Sequence, residues 1–198
     1  MTSSGQIKSV GVFMGAEFGN EKMFSNKATE LGKYLAGNNY RLVYGGGKDG
    51  LMGIVAMSVM ENGGRVLGIT PSNLAETSID ADQITELVQT PDMNTRKQLM
   101  IDQSDAFIAL PGGFGTLEEI AQTISWAKID LHEKPLALFN INGFYDTLWQ
   151  WIEEAVSKDF VPPFDMKYVY RGRSIDDIFE YFDNFEFPSE FQNPANFV

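Results

Sequence analysis

Two glycine-rich segments contain the residues best suited to bind an anion. The first reads GGGKDGLMG over residues 45–53, and the second reads PGGFGTLEE over residues 111–119. Each follows a predicted strand and opens a predicted helix, where unpaired N–H groups and a partial positive charge favour a phosphate. Glycine lets the ligand approach the backbone closely. The pattern predicts a phosphate site, with a purely structural tight turn as the alternative. Its candidate residues are Gly45, Gly46, Gly47, Pro111, Gly112, Gly113, Gly115 and Thr116.

Residues 45–50 also match G-x-G-x-x-G, the pattern of dinucleotide-binding turns. That turn normally follows the first strand, and an acidic residue about 20 positions further on ends the next strand. Here the turn follows the second predicted strand, and the next strand ends in GITP, without an acid. The sequence therefore disfavours NAD and FAD. It also lacks G-x-x-x-x-G-K-[ST], which disfavours a P-loop nucleoside triphosphatase.

A pair of cations precedes the second glycine segment. Arg96 and Lys97 lie in MNTRKQLM, within a predicted helix. An Arg-Lys pair commonly belongs to a solvated helix face, and taken alone this pair would be interpreted in that way. The pair precedes the strand–turn–helix unit at residues 111–119, so a functional role is the alternative.

Alternating strands and helices position these candidates. Apolar runs predict strands over residues 7–14, 41–44, 65–70, 84–88, 106–110, 135–139 and 168–170. Apolar residues at helical spacing predict helices over residues 21–37, 50–61, 92–103, 114–128, 143–157 and 174–182, with Asp92 as an N-cap. This order predicts a mostly parallel sheet with helices on both faces, in which ligands lie beyond the carboxyl ends of the strands. Residues 1–198 are expected to form a single domain, with residues 184–198 as a C-terminal tail.

Composition restricts the classes of partner. The 198 residues carry a formal net charge of −12, which disfavours nucleic-acid binding because phosphate backbones are repelled. There is no Cys, which excludes disulfides and thiolate chemistry and fits a reducing, cytoplasmic environment. We expect no signal peptide at the start of the sequence and no membrane span, since no apolar run approaches about 18 residues.

The segments YGGGKDGLMG, MNTRKQLM and PGGFGTLEE, in this order and spacing, resemble the LOG ("lonely guy") family. Members are cytokinin riboside 5′-monophosphate phosphoribohydrolases, often mislabelled lysine decarboxylases. TISWAKIDLHEKP and NGFYDTLWQWIEEAV are also similar to family sequence, so the resemblance covers roughly residues 7–162. It implies a Rossmann-like fold and a homodimer with sites near the interface. It also implies cleavage of the N-glycosidic bond of AMP or an N6-modified AMP, giving free base and ribose 5-phosphate.

The resemblance also implies roles for individual residues. The family's M-x-x-R-K motif falls on Met93, Arg96 and Lys97, of which Met93 and Lys97 are expected to contact the substrate. The family's catalytic Arg and Glu map to Arg96 and Glu119. A carboxylate suits this reaction because breaking a nucleoside C–N bond builds positive charge on the ribose. Glu118 points about 100° away around the helix and is the weaker candidate. Arg96 could hold the ribose or phosphate, or stabilise the departing purine.

No metal or organic cofactor is expected. His132 is the only His, which excludes His-rich metal sites and His-based triads, and we interpret it as structural. A decarboxylase would need a lysine bound to pyridoxal phosphate, and no residue is marked for that role.

The sequence departs from the family pattern at the end of the first strand. A Cys-Gly-Ser-Ser-like turn is common there, whereas this chain reads MGAEFG over residues 14–19, so Glu17 replaces hydroxyls with a negative charge. Asn94 stands where His or another residue is common in relatives. Two alternatives therefore stay open: a non-catalytic nucleotide-binding sensor or carrier, and a nucleosidase for a different nucleoside monophosphate.

Overall fold

A computed structural model describes residues 7–186. Its strands are β1 (Ser9–Phe13), β2 (Arg41–Tyr44), β3 (Arg65–Pro71), β4 (Glu86–Thr90), β5 (Ala106–Ala109), β6 (Leu136–Phe139) and β7 (Val169–Gly172). Its α-helices are α1 (Lys22–Gly37), α2 (Gly50–Glu61), α3 (Met93–Asp102), α4 (Phe114–Lys128), α5 (Asp146–Ser157) and α6 (Ile175–Asp183). Short 3₁₀ helices cover Ser72–Thr77, Ile141–Gly143 and Pro163–Tyr168. The predicted tail lies outside the described residues from position 187 onward.

The strands form one sheet in the order β4-β3-β2-β1-β5-β6-β7. Every pairing between these strands is parallel; in the centre, for example, Gly11 of β1 aligns with Val43 of β2 and Val12 aligns with Ile108 of β5. The chain builds outward from β1 to β4 and then returns to place β5 on the other side of β1. This reversal leaves a crevice beyond the carboxyl ends of β1 and β5, where ligands bind in open parallel sheets.

Helices cover both faces of the sheet, which confirms the predicted three-layer α/β/α architecture. One buried cluster joins the strands to α1, α2 and α6, and a second joins them to α3, α4 and α5. Successive strand residues enter opposite clusters, as Val12 and Phe13 of β1 show. Both faces of the sheet are therefore apolar, which explains why the strands read as continuous apolar runs.

Local sequence sets the helix ends. The carboxylate of Asp92 accepts a hydrogen bond from the Thr95 backbone N–H at 2.8 Å, so the predicted N-cap of α3 is confirmed. The helix predicted from residue 143 begins only at Asp146. Asn142 and Gly143 adopt left-handed conformations with φ values of 50° and 76°, which an α-helix cannot contain. The strand predicted at residues 84–88 lies two positions later, at Glu86–Thr90.

Candidate active site

A cavity of about 950 Å³ opens at the carboxyl ends of the central strands. Loops after β1, β2 and β5 line it, together with residues of α3 and α4. This is the crevice at the reversal point of the sheet order, between β1 and β5. Most predicted site residues meet here: Gly45, Gly47, Arg96, Pro111, Gly112, Gly113, Gly115, Thr116 and Glu119 all line the cavity.

The turn after β5 presents bare backbone to the cavity. A Cβ added to Gly113 or Gly115 would meet no described atom within 4 Å, so both positions face open space. Among the described residues, no side chain caps the beginning of α4. The first N–H groups of this helix thus stay available to an anion. Gly112 is needed for a different reason, because a Cβ there would overlap the hydroxyl of Thr116.

The turn after β2 lies on the other side of the cavity. Gly46 has a φ of 74°, a left-handed conformation that glycine adopts without strain. Its carbonyl accepts a hydrogen bond from the Ile79 backbone N–H at 2.8 Å, which anchors the turn to the segment after β3. Gly46 is buried and does not line the cavity, whereas its neighbours Gly45 and Gly47 do.

Arg96 of α3 and Glu119 of α4 form an ion pair in the cavity wall. The distance between Arg96 Nη2 and Glu119 Oε1 is 3.1 Å, and the two side chains are 12% and 11% exposed. The Arg96 guanidinium also donates from Nε to the Ile69 carbonyl at 3.1 Å and from Nη1 to Met93 Sδ at 3.1 Å. The guanidinium is therefore held from three directions beside the carboxylate.

The pKa of Glu119 is raised above its ordinary value. Burial is the main cause, because removing the carboxylate from water disfavours its charged form, and the neighbouring Glu118 charge acts in the same direction. The Arg96 charge opposes this shift and is the largest stabilising influence on the carboxylate. A buried acid beside a guanidinium is an arrangement found at many catalytic sites.

Two residues predicted to contact the substrate, Met93 and Lys97, lie on α3 together with Arg96. Lys97 Nζ pairs with Glu118 Oε1 at 2.6 Å, so a second ion pair joins α3 to α4 next to the first. Met93 contacts the Arg96 guanidinium through its sulfur. Neither Lys97 nor Met93 lines the cavity, and Glu118 is outside it as well.

Sequence reasoning did not find the apolar wall of the cavity. It combines side chains from four separate segments, and no pattern in the sequence joins them: Phe18, Phe24, Leu51, Met52, Leu74 and Phe144. The rings of Phe24 and Phe144 meet edge to face, with centroids 5.9 Å apart. Flat, apolar surfaces of this kind suit a heterocyclic base.

Tyr145 lies beneath the site and fixes the end of β5. Its hydroxyl donates to the Leu110 carbonyl at 2.6 Å, and its backbone N–H donates to Asn140 Oδ1 at 2.8 Å. Burial, and secondarily the Glu119 charge, raises the pKa of this hydroxyl, so it stays protonated. Tyr145 thus supports the segment that leads into the second glycine turn.

His132 is a packed, neutral side chain, in agreement with its structural interpretation. Its Nε2 lies 3.0 Å from the Thr123 carbonyl, and its Nδ1 accepts a hydrogen bond from the Lys134 backbone N–H at 3.2 Å. Burial lowers the pKa of His132 to about 4.

Within residues 7–186, no group of His, Asp and Glu side chains has the arrangement of a metal site. In the same range, no helix combines the length and apolar character that a membrane crossing requires.

The fold and the cavity together define an α/β protein with a candidate ligand site at the reversal point of a parallel sheet. A family model described as "possible lysine decarboxylase" matches residues 52–182. A protein of Oryza sativa subsp. japonica named "probable cytokinin riboside 5′-monophosphate phosphoribohydrolase" is 43% identical over 163 residues, 82% of this chain and 67% of that protein. A cytokinin riboside 5′-monophosphate phosphoribohydrolase of Arabidopsis thaliana is 41% identical, over 82% of this chain and 76% of its own length. The chain belongs to this family, the LOG family.

Solved structures share the fold at lower sequence identity. The molybdenum cofactor binding protein from Rippkaea orientalis superposes with a TM-score of 0.67 at 24% identity, over 89% of this chain and 95% of that chain. The molybdenum cofactor carrier protein from Chlamydomonas reinhardtii gives a TM-score of 0.67 at 20% identity, over 90% and 99%. At these identities the likeness concerns the fold alone.

Proposed function

We propose that this protein hydrolyses the N-glycosidic bond of a purine nucleoside 5′-monophosphate, of the N6-modified adenosine type, and releases free base and ribose 5-phosphate. One observation carries the proposal: the carboxylate of Glu119 lines the same cavity as the uncapped beginning of its own helix, α4. The named activity of the curated relatives supports it. No cofactor enters the reaction.

The substrate's phosphate binds to the N–H groups at the start of α4, next to Gly113, Gly115 and the Thr116 hydroxyl. Glu119 follows one turn later and therefore lies toward the ribose of the same ligand. The apolar wall around Phe24 and Phe144 receives the base. This order places phosphate, sugar and base along one cavity.

The chemical step exchanges one bond for another at the anomeric carbon. The C1′–N9 bond breaks, its electron pair goes to the purine, and a water oxygen bonds to C1′. The purine gains a proton and the water loses one, so atoms and charge balance. The carboxylate form of Glu119, which the Arg96 charge favours, stabilises the positive charge on the ribose and orients the water.

The same geometry disfavours amino-acid decarboxylation through a lysine-bound cofactor. No lysine lines the cavity in the described part of the chain. Lys97, the lysine of the motif, directs its ammonium to Glu118 at 2.6 Å, outside the cavity. Its amine is therefore not presented to a ligand for imine formation.

The activity is tested by incubating the protein with AMP and with isopentenyl-AMP and measuring free base by chromatography. Glu119→Gln is the inactive comparison, and Glu118→Gln is its matched control on the same helix turn. Base release well above the Glu119→Gln level is expected for at least one substrate. Tight AMP binding without release would instead favour a nucleotide-binding sensor or carrier, and release only from other purine or pyrimidine monophosphates would identify a different nucleosidase.

We also propose that two copies of the chain form a homodimer. Helix α4 exposes Phe114 to 93% and Leu117 to 43% beside the cavity, and Ile129 just after its end is 61% exposed. Large apolar side chains exposed together along one element are typical of surfaces that a partner covers. Light scattering coupled to gel filtration should give a mass near twice 22.1 kDa, and a Phe114→Asp variant should shift it toward the monomer.

A further inference from the structure

Two carboxylates on the rim of the cavity have no partner among residues 7–186. Glu17 lies in the loop between β1 and α1, and Asp49 precedes the first residue of α2. Both side chains are exposed, and both line the cavity. Asp49 occupies the N-cap position of α2 but makes no capping hydrogen bond. Both residues therefore add negative charge at the rim of the ligand space.

The backbone holds both residues in place. Gly50 has a φ of 61°, and a Cβ on it would overlap the Ala16 carbonyl and lie 2.6 Å from the Glu17 nitrogen. The Glu17 loop therefore packs directly on the start of α2, next to Asp49. On its other side, the Gly15 backbone N–H donates to the Pro111 carbonyl at 3.1 Å, which ties the loop to the second glycine turn.

The ionisable residues of the described cavity wall are Glu17, Asp49, Arg96 and Glu119. Arg96 is the single cation among them, and Glu119 already pairs with it at 3.1 Å. The remaining charges on the wall are both negative. A bound phosphate is held by neutral N–H donors, so each further negative charge on a ligand adds repulsion that no free cation on this wall offsets.

We propose that Glu17 and Asp49 restrict the site to ligands with a single phosphate and exclude nucleoside di- and triphosphates. The inference rests on the proposed function, because it takes the nucleotide site as given. A cavity of about 950 Å³ is roughly 10 Å across, similar to the Debye length of about 8 Å at physiological salt. The rim charges therefore act on a second phosphate wherever it lies in the cavity.

The experiment compares dissociation constants for AMP, ADP and ATP by calorimetry, without divalent cations and in a Glu119→Gln background that does not consume AMP. In this background ADP should bind at least tenfold more weakly than AMP. Adding Glu17→Gln and Asp49→Asn together should reduce that ratio at least fivefold. Glu61→Gln, at the far end of α2 and outside the cavity wall, is the matched control and should leave the ratio unchanged.

Failure of the charge exclusion and failure of the proposed function give different results. If AMP binds and the ADP-to-AMP ratio is the same with and without the rim carboxylates, the charge-exclusion proposal is wrong while the nucleotide site stands. If folded protein binds none of the three nucleotides, both the proposed function and the charge-exclusion proposal are wrong. A ratio that also falls in 0.5 M KCl would support an electrostatic origin, since salt screens exposed charges.

Discussion

The guanidinium of Arg96 packs directly on the α-carbon of Gly45, so closely that a Cβ at position 45 would overlap Nη2. The first glycine turn therefore makes room for the cation that pairs with Glu119, in addition to lining the cavity. The contact with Arg96 is enough to require glycine at position 45. Phosphate binding by this turn is therefore not needed to explain why the residue is glycine.

Gly45→Ala should displace Arg96 and separate it from Glu119. We expect kcat/KM for AMP to fall at least tenfold, since positioning errors near 1 Å are costly in catalysis. Gly37→Ala is the control, because a Cβ at Gly37 meets no described atom within 4 Å. Equal activity of the two variants in steady-state kinetics would show that the close contact has no catalytic importance.

Glu119→Gln should lower kcat by about 1,000-fold and leave AMP affinity within a few fold. The amide keeps the shape of the side chain but cannot stabilise positive charge on the ribose, an effect of about 10²–10⁴ in comparable systems. Glu118→Gln should stay within a few fold of the wild-type kcat, because Glu118 lies outside the cavity. Similar losses in both variants would refute the assignment of Glu119.

Gly115→Val should abolish nucleotide binding. The added side chain would project into open space in front of the α4 N–H groups, where the phosphate is placed. Thermal unfolding should change little, because the added Cβ meets no described atom within 4 Å. Calorimetry with AMP measures the effect, and retained affinity in a folded variant would move the phosphate site elsewhere.

The ion pair between Lys97 and Glu118 should affect the pH at which activity is lost on the acid side, or acid limb, of the pH–rate profile. Activity requires ionised Glu119, whose pKa is raised by burial and by Glu118 and lowered by Arg96 and Lys97. Lys97→Met leaves Glu118 uncompensated and should move the limb to higher pH. Glu118→Gln removes a like charge and should move it to lower pH.

The double variant Lys97→Met/Glu118→Gln removes both charges and should return the limb close to its wild-type position. Tyr145 also faces Glu119 but stays neutral, because its own pKa is raised. The readout is kcat/KM for AMP between pH 4 and 8. A shift of the Lys97→Met limb toward lower pH would contradict the assigned electrostatics.

His132 should titrate near pH 4 and not near its ordinary value of 6.5. Burial disfavours the imidazolium, so the ring stays neutral throughout the physiological range. As the only histidine of the chain, it gives a single assignable set of imidazole signals by NMR. A midpoint near 6.5 would mean that the ring is solvated and that its packing differs from the structure.

Much of the fold follows from local sequence, and several boundaries of β2, α2 and α4 are predicted to the residue. Strands buried on both faces and helices opened by glycine turns give strong local signals. The 3₁₀ helix at Ile141–Gly143 was not predicted, because the left-handed conformation of Asn142 depends on its surroundings. Strand β4 begins two residues later than predicted, since its bounds follow from its pairing with β3, which starts at Glu86.

The candidate site, too, was predicted only in part from the sequence. The glycine turns, Arg96 and Glu119 carry motif signals, and the structure brings them together in one cavity. The apolar wall around Phe144 carries no such signal, because its members are far apart in the chain. The pairing of Lys97 with Glu118 was also missed, since it depends on how α3 and α4 pack.

The central claim is that one ligand joins the beginning of α4 to the carboxylate of Glu119. A crystal structure of the Glu119→Gln variant with AMP tests it most directly. We expect the phosphate to accept hydrogen bonds of about 2.9 Å from N–H groups of residues 114–116. The residue-119 side chain should lie about 3.5 Å from C1′, or from a water that contacts C1′. A phosphate bound elsewhere, or a C1′ beyond reach of residue 119 and its water, would contradict the account.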